Sequence, residues 1–191
     1  TKRKGTRWAP RSFINVSASS LLLMSCISCY IVPNVRLQKL ECNALAEKMR
    51  ILVVDNYDSF TFNLTQLVEE CGAECDVVKN DRLDFNVARR YREILISPGP
   101  GVPSEAGRVR ELIAEFSPAK RILGICLGHQ AIAEVFGGEL IQLQGPAHGI
   151  KKFMKISDTS GYLFTGLPDE IDGGLYHSWS VSPEGFPDCL M

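Results

Sequence analysis

The chain has 191 residues, 45% of them hydrophobic and 23% charged, with a formal net charge of −1 at pH 7. That composition is ordinary for a domain with a real hydrophobic core, and the near-neutral balance excludes a global electrostatic case for nucleic-acid binding. The charge is unevenly divided: residues 1–48 hold eight Lys or Arg against two Asp or Glu, whereas residues 49–191 hold thirteen against twenty.

Residues 1–48 open with Lys2, Arg3, Lys4, Arg7 and Arg11 and then pass through an apolar run from Leu21 to Val32. A basic start and a short apolar run are the pattern of a targeting segment, and this run is too short to cross a bilayer comfortably. The chain begins at Thr1, while Met49 lies two residues before the first predicted strand. Residues 1–48 are therefore read as an upstream or appended N-terminal extension, expected to be disordered, with an organellar transit peptide as the second reading; residues 49–191 are the folded domain. The seven cysteines (Cys26, Cys29, Cys42, Cys71, Cys75, Cys126, Cys189) lack the regular spacing of a disulfide scaffold, which favours a reducing compartment and a cytoplasmic location. Cys26-x-x-Cys29 has the spacing of a metal or redox pair, but no second pair completes a site.

Ile51-Leu52-Val53-Val54-Asp55 is a continuous apolar run ending in an acid, the pattern of a buried parallel strand. Asn56-Tyr57-Asp58-Ser59 is turn chemistry, with Asp58 or Ser59 able to cap a helix whose apolar face is Phe60, Leu64, Leu67, Val68 and Cys71, stopped by Gly72. Cys75 to Lys79 predicts a second strand and Asn80-Asp81 its turn. Glu93 to Ser97 predicts a third, running directly into Pro98-Gly99-Pro100-Gly101. Prolines stiffen that loop while its glycines leave backbone N–H groups open to a ligand, at the carboxyl end of a strand where open α/β sheets bind ligands. A helix is predicted from Ser104 to Phe116 and a fourth strand from Arg121 to Ile125. After the next helix, Gly137-Gly138 ends that segment. Extended chain follows at Glu139–Leu143, Ile150–Ile156 and Gly174–Val181. The strand-helix alternation from 51 to 137 predicts an α/β domain with a doubly wound, mostly parallel sheet flanked by helices.

Between the fourth strand and its helix stands Gly124-x-Cys126-x-Gly128. This is a nucleophile elbow with cysteine in the nucleophile position, a turn so tight that its flanking residues must be nearly free of side chain. The following helix would present its N–H groups and positive dipole end to the sulfur, favouring the thiolate. The plain alternative is a small buried cysteine between loop glycines.

Asp55-Asn56-Tyr57-Asp58-Ser59-Phe60-Thr61-Phe62-Asn63-Leu64, Ser97-Pro98-Gly99-Pro100-Gly101, Gly124-Ile125-Cys126-Leu127-Gly128-His129-Gln130 and Tyr176-His177-Ser178 together resemble the class I glutamine amidotransferases, in the branch of the glutaminase subunits of anthranilate synthase and its para-aminobenzoate (aminodeoxychorismate) counterpart. The resemblance runs from Met49 to Met191. It implies that Cys126 attacks the side-chain amide of glutamine, forms a thioester and releases ammonia to a large chorismate-binding partner subunit. It further implies that the backbone N–H groups of Gly99 and Leu127 form the oxyanion hole. Gly99, Pro100, Gly101, Gln130, Ser178 and Trp179 fall where the family contacts glutamine. Trp179 stands where the family usually has leucine. No cofactor and no metal site is implied for this subunit, and neither nucleic acid nor membrane is expected as a partner.

The family activates its cysteine with a histidine from a later His-x-Glu segment, which does not occur in these residues. His129 should project away from the sulfur, His177 is expected to be structural, and His148 is left without a chemical role. The chain is accordingly expected to be a C-terminally truncated form of the amidotransferase domain, without part of its C-terminal fold. Three readings follow: the anthranilate synthase glutaminase, the aminodeoxychorismate synthase glutaminase or one serving both pathways, and a non-catalytic docking or glutamine-binding fragment.

Overall fold

Ile51-Leu52-Val53-Val54 is apolar at every position because the strand it forms is covered on both faces, and all four residues are buried. In the computed structural model, which describes residues 49–155 and 168–190, this run is the centre of strand β1 (Arg50–Asp55). The expectations for residues 1–48, Cys26-x-x-Cys29 included, lie outside the described residues, as does Ile156. The chain continues through α1 (Thr61–Glu70), β2 (Glu74–Lys79), α2 (Phe85–Ala88), β3 (Glu93–Ile96), α3 (Val109–Phe116), β4 (Arg121–Gly124) and α4 (Leu127–Val135). Two long strands follow, β5 (Leu140–Lys155) and β6 (Glu170–Val181).

The first four strands form one parallel sheet in the order β2-β1-β3-β4. Successive side chains alternate between its faces. Leu52, Val54, Ile94, Ile96 and Ile122 meet Val109, Leu112, Ile113 and Phe116 of α3 and Leu127 and Ala131 of α4. On the opposite face Ile51, Val53 and Leu95 meet Leu64 and Val68 of α1. Helices on both faces of a parallel sheet are the doubly wound architecture expected from the alternation of elements. β5 and β6 form a separate antiparallel ribbon, interrupted by irregular register between Gln142 and Ala147 and between His148 and Ile150.

Several local expectations are corrected. The helix predicted over Ser104–Phe116 is instead a 3-10 turn at Pro103–Glu105 and a helix starting at Val109. It breaks at Gly107, whose φ is +55° and where a Cβ would stand 2.8 Å from the Asn80 carbonyl oxygen. The start of α1 is also different: Phe60 takes the N-cap position without a side-chain cap, and the Asp58 carboxylate accepts the Phe60 N–H at 2.8 Å. Asp58 thus shapes the turn before the helix instead of capping its first turn. The extended segments predicted at Glu139–Leu143 and Ile150–Ile156 fall, over 140–143 and 150–155, within one strand, β5.

The acid that ends β1 anchors the sheet's carboxyl edge. Asp55 is 2% exposed and pairs with Lys79, its neighbour in register at the end of β2. It also accepts the Thr61 hydroxyl at 2.9 Å and the Asp58 N–H at 3.2 Å. Burial pushes the Asp55 carboxyl up, but these donors together outweigh it and hold the group below its ordinary value of 3.8. A depressed carboxylate stabilises the fold above its unfolded pKa, and that contribution is lost as pH falls through the folded value. Asp55→Asn should therefore be less stable than the parent near pH 7, by about 1.5–3 kcal/mol, the range for hydrogen bonds to a charged group. The gap should narrow below pH 3.8, which urea unfolding at both pH values measures; a gap independent of pH would contradict the assignment.

Candidate active site

The turn from β4 to α4 is as sharp as its glycines require. Ile125 donates its N–H to the Ile96 carbonyl at 3.0 Å, and α4 begins at Leu127. Between them Cys126 sits at φ +51°, ψ −106°, backbone that a non-glycine residue seldom adopts. Gly128 donates to the Ile125 carbonyl and Gln130 to the Cys126 carbonyl, both at 3.0 Å, closing the turn into the helix. A Cβ on Gly124 would collide with the Gly128 carbonyl and lie 2.6 Å from the His129 nitrogen, and one on Gly128 would lie 2.6 Å from the Ile96 carbonyl oxygen. Each glycine is therefore needed because backbone occupies the space a side chain would take.

A cavity of about 280 Å³ opens beside this turn. Gly99, Pro100 and Gly101 line it from the loop after β3, Cys126 and Gln130 from the elbow, and His148 with Tyr176–Trp179 from the ribbon. Its volume is at the small end of ligand pockets, which run from about 300 Å³ upward, and so suits a metabolite of amino-acid size. Gln130 is buried and its side-chain amide donates to the Trp179 carbonyl at 2.9 Å, tying α4 to β6. Gly99 passes so close to the elbow that a Cβ there would stand 2.7 Å from Leu127 Cδ2. Seven of the eight site residues read from the sequence thus line one cavity. The eighth, Leu127, does not line it and is buried in the core at the start of α4.

The histidines separate. His129 is exposed on α4 and does not line the cavity, as its position in the helix predicts. His177 does line it, and burial, with His148 and Lys152 nearby, pushes its imidazole below the ordinary value of 6.5. His148 also lines the cavity and meets Tyr176 edge-on with ring centroids 6.2 Å apart. The sequence left His148 without a role; its place depends on the irregular ribbon register that sets it opposite Tyr176. A second group was read from the sequence only as turn and strand-end residues: Asn56, Asn80 and Ser97, all buried, form a hydrogen-bonded cluster beneath Gly99. The one signal for it was a polar residue directly after each of three strands.

A family model described as glutamine amidotransferase class-I matches residues 52–191. A Haemophilus influenzae protein named as an anthranilate synthase component II is 44% identical over 142 residues, covering 74% of this chain and 73% of that protein. The aminodeoxychorismate/anthranilate synthase component 2 of Bacillus subtilis is 41% identical over 142 residues, covering 73% of this chain and 72% of its own length. Among solved structures, one described as a GMP synthase subunit from Thermoplasma acidophilum matches with a TM-score of 0.65 at 26% identity, over 75% of this chain and 71% of that one.

Proposed function

The chain belongs to the glutamine amidotransferase class-I family, and from that premise we propose that it is the glutamine-hydrolysing component of a chorismate-using synthase, of the anthranilate type. The relatives named as second components of anthranilate and aminodeoxychorismate synthases support this branch, and the names imply a heteromer with a large chorismate-binding subunit. The observation that carries the reading is that one cavity brings Cys126 together with the Gly99–Gly101 loop and the Ser178–Trp179 segment.

In this reading the Cys126 sulfur adds to the side-chain amide carbon of glutamine, the thiol proton passes to the amide nitrogen, the C–N bond breaks to release ammonia, and water hydrolyses the resulting thioester to glutamate, returning the thiol. As sulfur adds, negative charge develops on the amide oxygen. The backbone N–H groups of Gly99 and Leu127 are the donors assigned to that oxygen, and the closeness of Gly99 to Leu127 supports the pairing. Gly99, Pro100, Gly101, Gln130, Ser178 and Trp179 hold the substrate; a contact through the Trp179 backbone is insensitive to the change from leucine. Gln130 has its carbonyl oxygen and its second amide N–H to offer the substrate, one N–H already serving the Trp179 carbonyl. A cytoplasmic setting goes with this reading, supported by cysteine usage without a disulfide pattern.

The test is to combine the protein, in a form extended to carry a His-x-Glu segment, with anthranilate synthase and aminodeoxychorismate synthase large subunits in turn, with glutamine and chorismate, and to identify the product. Glutamine-dependent anthranilate is expected; aminodeoxychorismate alone would move the protein to the other pathway. Glutamine binding by calorimetry without ammonia release with either subunit would make it a non-catalytic binding component.

A further inference from the structure

We infer that Asn56 is a positioning residue that sets the Gly99 peptide for reaction at Cys126, an inference that rests on the glutaminase reading above. β1 and β3 are neighbours in the sheet, and between them the strand order reverses: the chain moves from β1 outward to β2 on one side and to β3 and β4 on the other. Loops leaving two such strands part company, and the crevice between them is where doubly wound sheets bind ligands. Asn56 and Ser97 are the residues that follow those two strands. They are joined twice: the Asn56 N–H donates to Ser97 Oγ at 2.9 Å, and Asn56 Nδ2 donates to the Ser97 carbonyl at 2.8 Å. Ser97 Oγ in turn donates to the Pro98 carbonyl at 2.6 Å.

The other end of the Asn56 amide is held from behind, where Oδ1 accepts Asn80 Nδ2 at 3.0 Å. Asn80 is itself fixed, its carbonyl accepting the Arg108 N–H at 3.2 Å. Asn56 is 1% exposed and Ser97 0%, so no water competes for these groups. Directly above lies Gly99: a Cβ there would stand 2.5 Å from Asn56 Cβ and 2.9 Å from the Asn56 carbonyl oxygen. Asn56 is thus both the floor under Gly99 and the clamp on the two peptides that lead to it. Only an amide does this, because the site demands a donor toward Ser97 and an acceptor toward Asn80. Aspartate has the same shape but offers the Ser97 carbonyl an acceptor.

The expected consequence is specific to reactions that build charge on a carbonyl oxygen. Modification of Cys126 is followed by mass spectrometry with two electrophiles: a chloroketone analogue of glutamine, whose oxygen gains charge as sulfur adds, and iodoacetamide, which reacts by simple displacement. Asn56→Asp should slow the chloroketone about 10-fold or more, below the loss for deleting an oxyanion donor outright, while changing the iodoacetamide rate no more than about 2-fold. Asn80→Ala, which leaves both Asn56–Ser97 bonds in place, should shift the same ratio in the same direction by less, and it carries the test if Asn56→Asp does not fold. An unchanged ratio in the folded variants, including a parallel fall of both rates, overturns the inference alone. A parent protein with no preference for the chloroketone removes the glutaminase reading and this inference with it.

Discussion

In a form of the protein extended to carry a His-x-Glu segment, Cys126→Ala is expected to lower glutamine-dependent ammonia release by roughly 10⁴-fold or more, the scale of losing a catalytic nucleophile. Glutamine binding should survive, because most of the cavity wall is contributed by the Gly99–Gly101 loop and the β6 segment rather than by the thiol. Calorimetry on the variant separates the two effects. A variant as active as the parent would end the thioester mechanism. The same position carries a second, opposite expectation for stability. Cys126 is held at φ +51°, backbone that costs a residue bearing a Cβ about 1–3 kcal/mol and glycine far less. Cys126→Gly should therefore be inactive and yet unfold at higher denaturant than Cys126→Ala, as expected where strain is retained for chemistry.

Gly128→Ala should be nearly as damaging by a different route. The added methyl would lie 2.6 Å from the Ile96 carbonyl oxygen and 2.9 Å from Ile96 Cβ. Ile96 ends β3 in the middle of the sheet and is fully buried, so it has nowhere to move. Strain of this kind typically costs 1–3 kcal/mol, and here, against backbone, about 3 kcal/mol is expected. That corresponds to a fall in Tm of about 10 °C for a domain of this size. What strain the fold does not absorb should displace α4 and Cys126 with it, and a shift of about 1 Å at a reacting atom costs on the order of 10²-fold in rate. Gly145→Ala is the control, since a Cβ there meets nothing within 4 Å. Equal thermal stability for the two variants would show that the elbow tolerates a side chain.

Much of the site was legible because its requirements are local. Ile51–Asp55 announces a doubly covered parallel strand through its own composition, and Gly124-x-Cys126-x-Gly128 announces a tight turn through the absence of side chains around a single cysteine. The Gly99–Gly101 loop could be placed at a sheet edge from the strand that precedes it. Other features failed to show for equally physical reasons. The break at Gly107 depends on the Asn80 carbonyl, 27 residues earlier, occupying the space where a continuing helix would place a side chain. The position of His148 depends on irregular pairing within the ribbon, and register is a property of two strands rather than one. The four-residue helix α2, capped by the Asp84 carboxylate accepting the Asn86 N–H, is too short to produce a periodic signal.

Asn56 marks the boundary between the two kinds of information. By itself it reads as turn chemistry, and its neighbours Tyr57, Asp58 and Ser59 reinforce that reading. Its donors and acceptors find their partners 41 and 24 residues away, at Ser97 and Asn80. Sequence alone determined the α/β class, the tight turn at Cys126 and the glycines around it, because steric limits on the backbone act between residues close in the chain. Only the tertiary structure decided which distant polar groups close the cavity and hold Gly99 beside the elbow. A buried hydrogen bond takes whatever partner the packing of strands brings within about 3 Å, and that partner is set by strand order, which no single segment encodes.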